Sequence, residues 1–359
     1  MWQNPLLKSQ DAKTLLESDK ESNDADNDRT SLLDGSVEEN ELKEPEMTIS
    51  VVKKDFGFTF SCIAPLKAED VPETKEFDNI IVFKDLATRF FYFGVFNPHG
   101  SSGSEVVSTI KKFIIQHLTR SAMAIKNLTS KSQIKKFLAN MISMAESDIY
   151  KKSIDVKYSG CTINHLFVYK NHFFTINIGS SRAVLYRGKP GSKLAIELTT
   201  DHVPENKEER YRVYKHGGII KRWEMNNQKS GPLRIWDKML ENGPGIRVTR
   251  SIGDDVASQM GVISKPEIQC LAISEHDSFV IIATEAIFKS LHSTQLCYYI
   301  ERFLKEYPNK LDSAAQLVIN KANEKNKTDD ELSDTMDSEI QFGYAKVKDS
   351  AVIVGLINH

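Results

Sequence analysis

Apolar residues in this chain recur at two spacings, and the change from one to the other divides it into elements. Over 102–119, Val106, Val107, Ile110, Phe113, Ile114 and Leu118 fall on one face of a helix, with Ser102 and Glu105 at capping-box spacing. Ile134, Phe137, Leu138, Met141, Ile142 and Ala145 predict a second helix over 131–147. The period then shortens. Segments 164–170, 172–178 and 182–187 are rich in β-branched and aromatic residues and are separated by turn residues, which predicts an antiparallel meander. Further strands are expected at 277–284 and 350–357, with helices at 292–306 and 311–323 between them. The polar run 324–340 reads as a solvated surface loop. Helices alternating with antiparallel strand pairs, without regular βαβ units, argue for an α+β layered domain.

Composition narrows the function classes. Lys+Arg 47 against Asp+Glu 49 gives a net charge of −2, so no global basic field points to nucleic acid or to an anionic membrane. The charge is uneven, however. Residues 17–46 hold twelve acids and three bases, net −9, which leaves −2 − (−9) = +7 for the remainder. That stretch has no aromatic residue and too little apolar surface to offset its ordering entropy. A disordered acidic tail is therefore expected over 1–47, with one folded domain over 48–359. The longest apolar runs, such as Phe90 to Phe96, fall far short of the roughly 20 residues that span a bilayer. The first residues form no apolar signal core, and Trp2 excludes N-myristoylation. An intracellular location, cytoplasmic or nuclear, is the expectation. Cys62, Cys161, Cys270 and Cys297 form no CxxC pair and read as buried reduced thiols.

Six segments carry a resemblance. They are FYFGVFNPHGSS (91–102), SGCTINHLFVYKNHFFTINIGSSRAVLYRGK (159–189), LTTDHVPENKEERYRVYKHGGII (198–220), IRVTRSIGDD (246–255), FVIIATEAIFKSL (279–291) and VKDSAVIVGLI (347–357). In this order they resemble the metal-dependent, type 2C serine/threonine protein phosphatases over roughly residues 48–358. The resemblance implies a central antiparallel β-sandwich flanked by α-helices, a four-layer αββα fold. In that family acidic residues bind two Mg²⁺ or Mn²⁺ ions, and a bridging water attacks the phosphoserine or phosphothreonine phosphorus. Two dications a few ångströms apart repel strongly, so hard anionic oxygens must surround them, with at least one carboxylate touching both.

Against that demand the chain departs from the family. The FxVFDGHGG pattern reads Phe93-Gly94-Val95-Phe96-Asn97-Pro98-His99-Gly100-Ser101. Neutral Asn97 cannot replace a bridging carboxylate, and Pro98 keeps a carbonyl but fixes φ near −65°. His99, proposed in the family to protonate the leaving alcohol, is retained. In NxGDSRxxL the aspartate of an additional metal site is Ser180. In LxSDGLWD, Glu285 keeps the charge of a metal-binding aspartate with one more methylene, and Lys289 stands where the second aspartate would be. An ammonium close to a dication in low dielectric costs several kcal/mol. Asp349, in KDSAVIVG, is the one of these ligands retained unchanged. The family's opening motif has no counterpart between 48 and 80; Glu69 and Asp70 are acidic neighbours in the wrong context and are not assigned as ligands.

The expected function is therefore a catalytically inactive, pseudophosphatase-like domain acting through protein interaction or regulation, with no functional metal and no cofactor. The alternative is a weak Mg²⁺- or Mn²⁺-dependent serine/threonine phosphatase in which Glu285 and Asp349 hold one ion. A further reading is capture of a phosphorylated peptide or other anion, since Asn97, Ser180 and Lys289 make the cleft nearly neutral or positive. Expected partners are proteins, phosphorylated or not, and neither nucleic acid nor membrane. Candidate contact regions are 17–46, 324–340 and the insert from Trp223 to Trp236, whose two rings either form a binding patch or pack back onto the domain.

Overall fold

Side chains on a β-strand alternate between its two faces, and here both faces are apolar because each sheet is covered twice. The computed structural model describes residues 58–63, 79–85, 87–189, 192–225, 228–237, 245–331 and 350–357. The expected acidic tail, Glu69, Asp70, Asp349 and positions 332–340 lie outside them.

Strands β1 (Phe58–Ile63), β2 (Ile80–Asp85) and β3 (Phe90–His99) precede helices α1 (Gly103–Lys126) and α2 (Lys131–Lys151). Strands β4 (Gly160–Tyr169), β5 (His172–Ile178), β6 (Arg182–Lys189) and β7 (Ser192–Glu197) follow. Helix α3 (Lys207–Lys215) leads to the hairpin β8 (Ile219–Met225) and β9 (Gln228–Trp236). Then come β10 (Ile252–Gly253), α4 (Asp255–Gln259), β11 (Glu267–Ala272), β12 (Asp277–Ala283), α5 (Glu285–Ser290), α6 (Ser293–Glu306), α7 (Ala314–Glu331) and β13 (Val352–Ile357). One sheet has the order β1-β13-β12-β6-β7 and the other β11-β5-β4-β3-β2, with β10 paired to β4. All of the pairings are antiparallel.

The layers follow from the alternation. In β3, Phe91, Phe93 and Val95 point inward to meet Ala183, Leu185, Val280, Ile282 and Ile353 of the facing sheet. Phe90, Tyr92 and Phe96 point outward onto α1 and α2 through Ile110, Ile114, Leu138 and Met141. On the other side, Phe279 and Ile281 of β12 pack beneath Ile287, Leu296, Ile300 and Val318 of α5, α6 and α7. The four-layer αββα sandwich is thus the expected α+β fold. Gly94 is required between the aromatic residues: a Cβ there would lie 2.2 Å from the His165 ring on the paired strand.

Three local expectations are corrected. The segments 164–170, 172–178 and 182–187 are not one meander, because β4 pairs β5 whereas β6 lies in the opposite sheet, beside β12 and β7. Gly179, at φ +106°, opens the turn that carries the chain across, and a period-two pattern is silent about which sheet a strand joins. Residues 324–331 continue α7 instead of beginning a loop. A helix already nucleated upstream adds one hydrogen bond per residue without needing an apolar face. Ser102 is the N-cap of α1, but its side chain makes no capping bond; the capping box forms at α2, between Ser130 and Gln133. Among the described residues, no helix is long and apolar enough to cross a membrane.

Candidate active-site cleft

One end of the sandwich collects the segments singled out in the sequence. The C-terminal end of β3 places Asn97, Pro98 and His99 opposite Thr162, Cys161 and Gly160 of β4. β2 pairs with β3 only as far as Val95, so Pro98 stands at what is locally an edge and its missing N–H is tolerated. The crossing turn supplies Ser180, and the β12–α5 junction supplies Glu285 and, one turn on, Lys289. These segments, the end of β9 and residues 245–248 enclose a cavity of about 530 Å³.

The crossing turn is held by satisfied polar groups. Buried Asn164 donates to Asn177 at 3.0 Å and to the Ser181 carbonyl at 2.8 Å, and Asn177 donates to the Thr200 carbonyl at 2.8 Å. The Gly179 N–H donates to His202 Nδ1 at 3.1 Å, which leaves the Nε2 proton to face Glu267 at 3.0 Å. Arg182 grips Asp201 through two hydrogen bonds of 2.8 Å. Below the hairpin, Glu209 accepts hydrogen bonds from Arg212, Arg250 and Thr249. Its burial would raise the carboxyl pKa, but those hydrogen bonds outweigh it and hold the group well below the usual carboxylate range.

At the centre of the cleft, Glu285 is engaged on both oxygens. Ser180 Oγ lies 3.0 Å from Oε2, while Arg247 and Lys289 hold Oε1, the latter at 3.3 Å. Arg247 and Glu285 are only 14% and 16% exposed. Burial pulls the Lys289 pKa down; Glu285 opposes this, and Arg247 and Arg234 add to it. Across the cavity His99 Nε2 meets Asp254 at 2.6 Å, with the carboxylate side chain 5% exposed. Asp254 itself adopts a left-handed φ of 58°.

These residues do not fit a pair of divalent cations. Asn97 brings no charge, Ser180 brings a hydroxyl, and the Glu285 carboxylate is paired with two cations of the chain itself. Among the described residues, no group of three or more His, Cys, Asp or Glu side chains is placed to hold a metal ion.

The sequence placed Asn97, Pro98, His99, Ser180, Glu285 and Lys289 in the site, and the fold brings all of them to this end. It missed Arg247, Arg234 and the role of Asp254. Arg247 lies in IRVTRSIGDD, 38 positions from Glu285, and nothing local marks it as that residue's partner. Trp223 and Trp236 pack on each other with ring centroids 5.4 Å apart, and Trp236, 4% exposed, donates to the Lys221 carbonyl and walls the cavity. The larger ring is therefore part of the interior.

An αββα sandwich with a cleft at the strand ends defines a phosphatase-like architecture. The profile of the family described as Protein phosphatase 2C matches residues 76–331. "Probable protein phosphatase 2C 35" of Arabidopsis thaliana is 26% identical over 308 residues, covering 80% of this chain and 86% of its own. "Probable protein phosphatase 2C 3" of Paramecium tetraurelia is 25% identical over 251 residues, 66% of this chain and 77% of its own. In fold, the serine-threonine phosphatase 2C crystal structure from Toxoplasma gondii superposes with a TM-score of 0.62 at 13% identity, covering 87% of this chain and 98% of that one. The chain belongs to the protein phosphatase 2C family.

Proposed function

We propose that this family member is a pseudophosphatase, a phosphatase fold that acts by binding a protein partner inside the cell and not by metal-dependent hydrolysis. The observation that carries the reading is the state of Glu285. Its two oxygens are spent on Ser180, Arg247 and Lys289, where the reaction needs carboxylates open to a bridged pair of dications. Weak turnover with one Mn²⁺ or Mg²⁺ on Glu285 and Asp349 is the less supported reading, because a single ion does not supply the bridging nucleophile.

Calorimetric titration of the full chain with Mn²⁺ tests it. Two saturable sites abolished by Asp349→Ala would sink the proposal. The expected result is the absence of a coupled pair of sites, with Asp349→Ala giving the same trace as the unaltered chain.

A further inference from the structure

The cations that crowd Glu285 have a use of their own. We infer that Arg234, Arg247 and Lys289 form a metal-independent receptor for the dianion of a phosphate monoester. This deepens the non-catalytic reading of the same cleft and rests on it.

Charge bookkeeping comes first. At the Glu285 end, three cations meet one carboxylate, an excess of two positive charges. Arg247 and Lys289 bond Glu285 directly, and Arg234 is near enough to press on Lys289. Of the other carboxylates on the wall, Asp254 is bonded to His99 at 2.6 Å. Asp237 is offset in charge by Lys157, which lines the same cavity. An excess of two matches a phosphate monoester above its second pKa, near 6.

Geometry comes second. Arg234 and Arg247 both line the cavity, and both are held in place: Arg234 donates to the Gly245 carbonyl at 2.7 Å, and Arg247 is fixed on Glu285. Planar guanidinium forks match phosphate oxygens, and forks anchored in advance lose little freedom when the anion arrives. Mutual repulsion among the three cations, already visible in the lowered Lys289 pKa, is relieved by a dianion. The adjoining wall, with Ile235, Trp236, Val248 and Met260, is apolar. It suits the carbon part of an ester, whereas free phosphate has nothing to place there.

The test is calorimetric titration of the full chain in EDTA. The probes are a phosphothreonine peptide, its unphosphorylated twin, an aryl phosphate and inorganic phosphate. Both esters are expected to bind, and the unphosphorylated peptide is not. Lys289→Met and Arg234→Gln should each weaken ester binding at least tenfold, while Lys289→Arg keeps it. Thermal melts of each variant confirm that the fold persists. A peptide preferred over the aryl ester identifies a phosphoprotein as the source of the group, and the reverse preference identifies a small molecule; either supports the receptor. Absence of ester binding in EDTA overturns this inference, and so does binding indifferent to Lys289→Met and Arg234→Gln. In both cases the pseudophosphatase reading survives if Mn²⁺ brings no turnover. Ester binding that appears only with Mn²⁺ and is followed by hydrolysis overturns both.

Discussion

Arg247→Met removes the guanidinium from Glu285 and keeps most of the side chain's apolar stem. Breaking a fully buried ion pair by deleting one partner costs about 3–5 kcal/mol, since it leaves an uncompensated charge. Here the carboxylate retains Lys289 at 3.3 Å and Ser180 at 3.0 Å, and the pair is 14% and 16% exposed. The expected cost is therefore about half, ~2 kcal/mol. Glu285→Gln strands Arg247 and Lys289 in turn and should cost about as much. The double variant leaves neither charge facing an absent partner, so its cost should fall short of the sum by ~1–2 kcal/mol. Urea unfolding measures all four corners of this cycle, with midpoints shifting and slopes unchanged. A coupling below ~0.5 kcal/mol would refute the reasoning, because it would mean that the guanidinium does not hold the carboxylate and Glu285 is open to another cation.

Glu209→Gln leaves Arg212 and Arg250 facing a neutral amide and should cost ~3 kcal/mol in urea unfolding at neutral pH. Because the folded-state pKa of Glu209 is depressed, its contribution is complete above the model value of 4.5 and is lost as pH falls below it toward the folded value. The variant and the unaltered chain should accordingly converge in stability as the pH is lowered, and parallel curves down to acid unfolding would contradict the assignment. Gly179→Ala places a Cβ 2.4 Å from Thr162 at a φ of +106° and should cost ~3 kcal/mol from strain and overpacking together. A loss under 1 kcal/mol, read from the same unfolding curves, would show that the crossing turn can relax.

The layered fold was legible in the sequence because its strands and helices obey different periods. FFYFGVF announces a strand covered on both faces, and the helix faces at 106–118 and 134–145 coincide with those buried in α1 and α2. What the pattern does not encode is destination. The 182–187 segment has the same signature whether it pairs with β5 or crosses to β12, and the choice is made by a left-handed glycine and a set of buried amides. The site was legible residue by residue wherever a motif framed it, as at Asn97, Ser180 and Lys289. Its ion pairs were not, since Arg247 finds Glu285 and Asp254 finds His99 only through tertiary structure, across 38 and 155 positions. A motif reveals a lost ligand but not the side chain that has taken the ligand's place.

The central claim is that this cleft has exchanged metal chemistry for ion pairing within the chain. The most direct measurement is hydrolysis of an aryl phosphate and a phosphothreonine peptide by the purified full chain in millimolar-range Mn²⁺, beside EDTA and Asp349→Ala controls. The account predicts no turnover above either control. Metal-dependent turnover abolished by Asp349→Ala would contradict it.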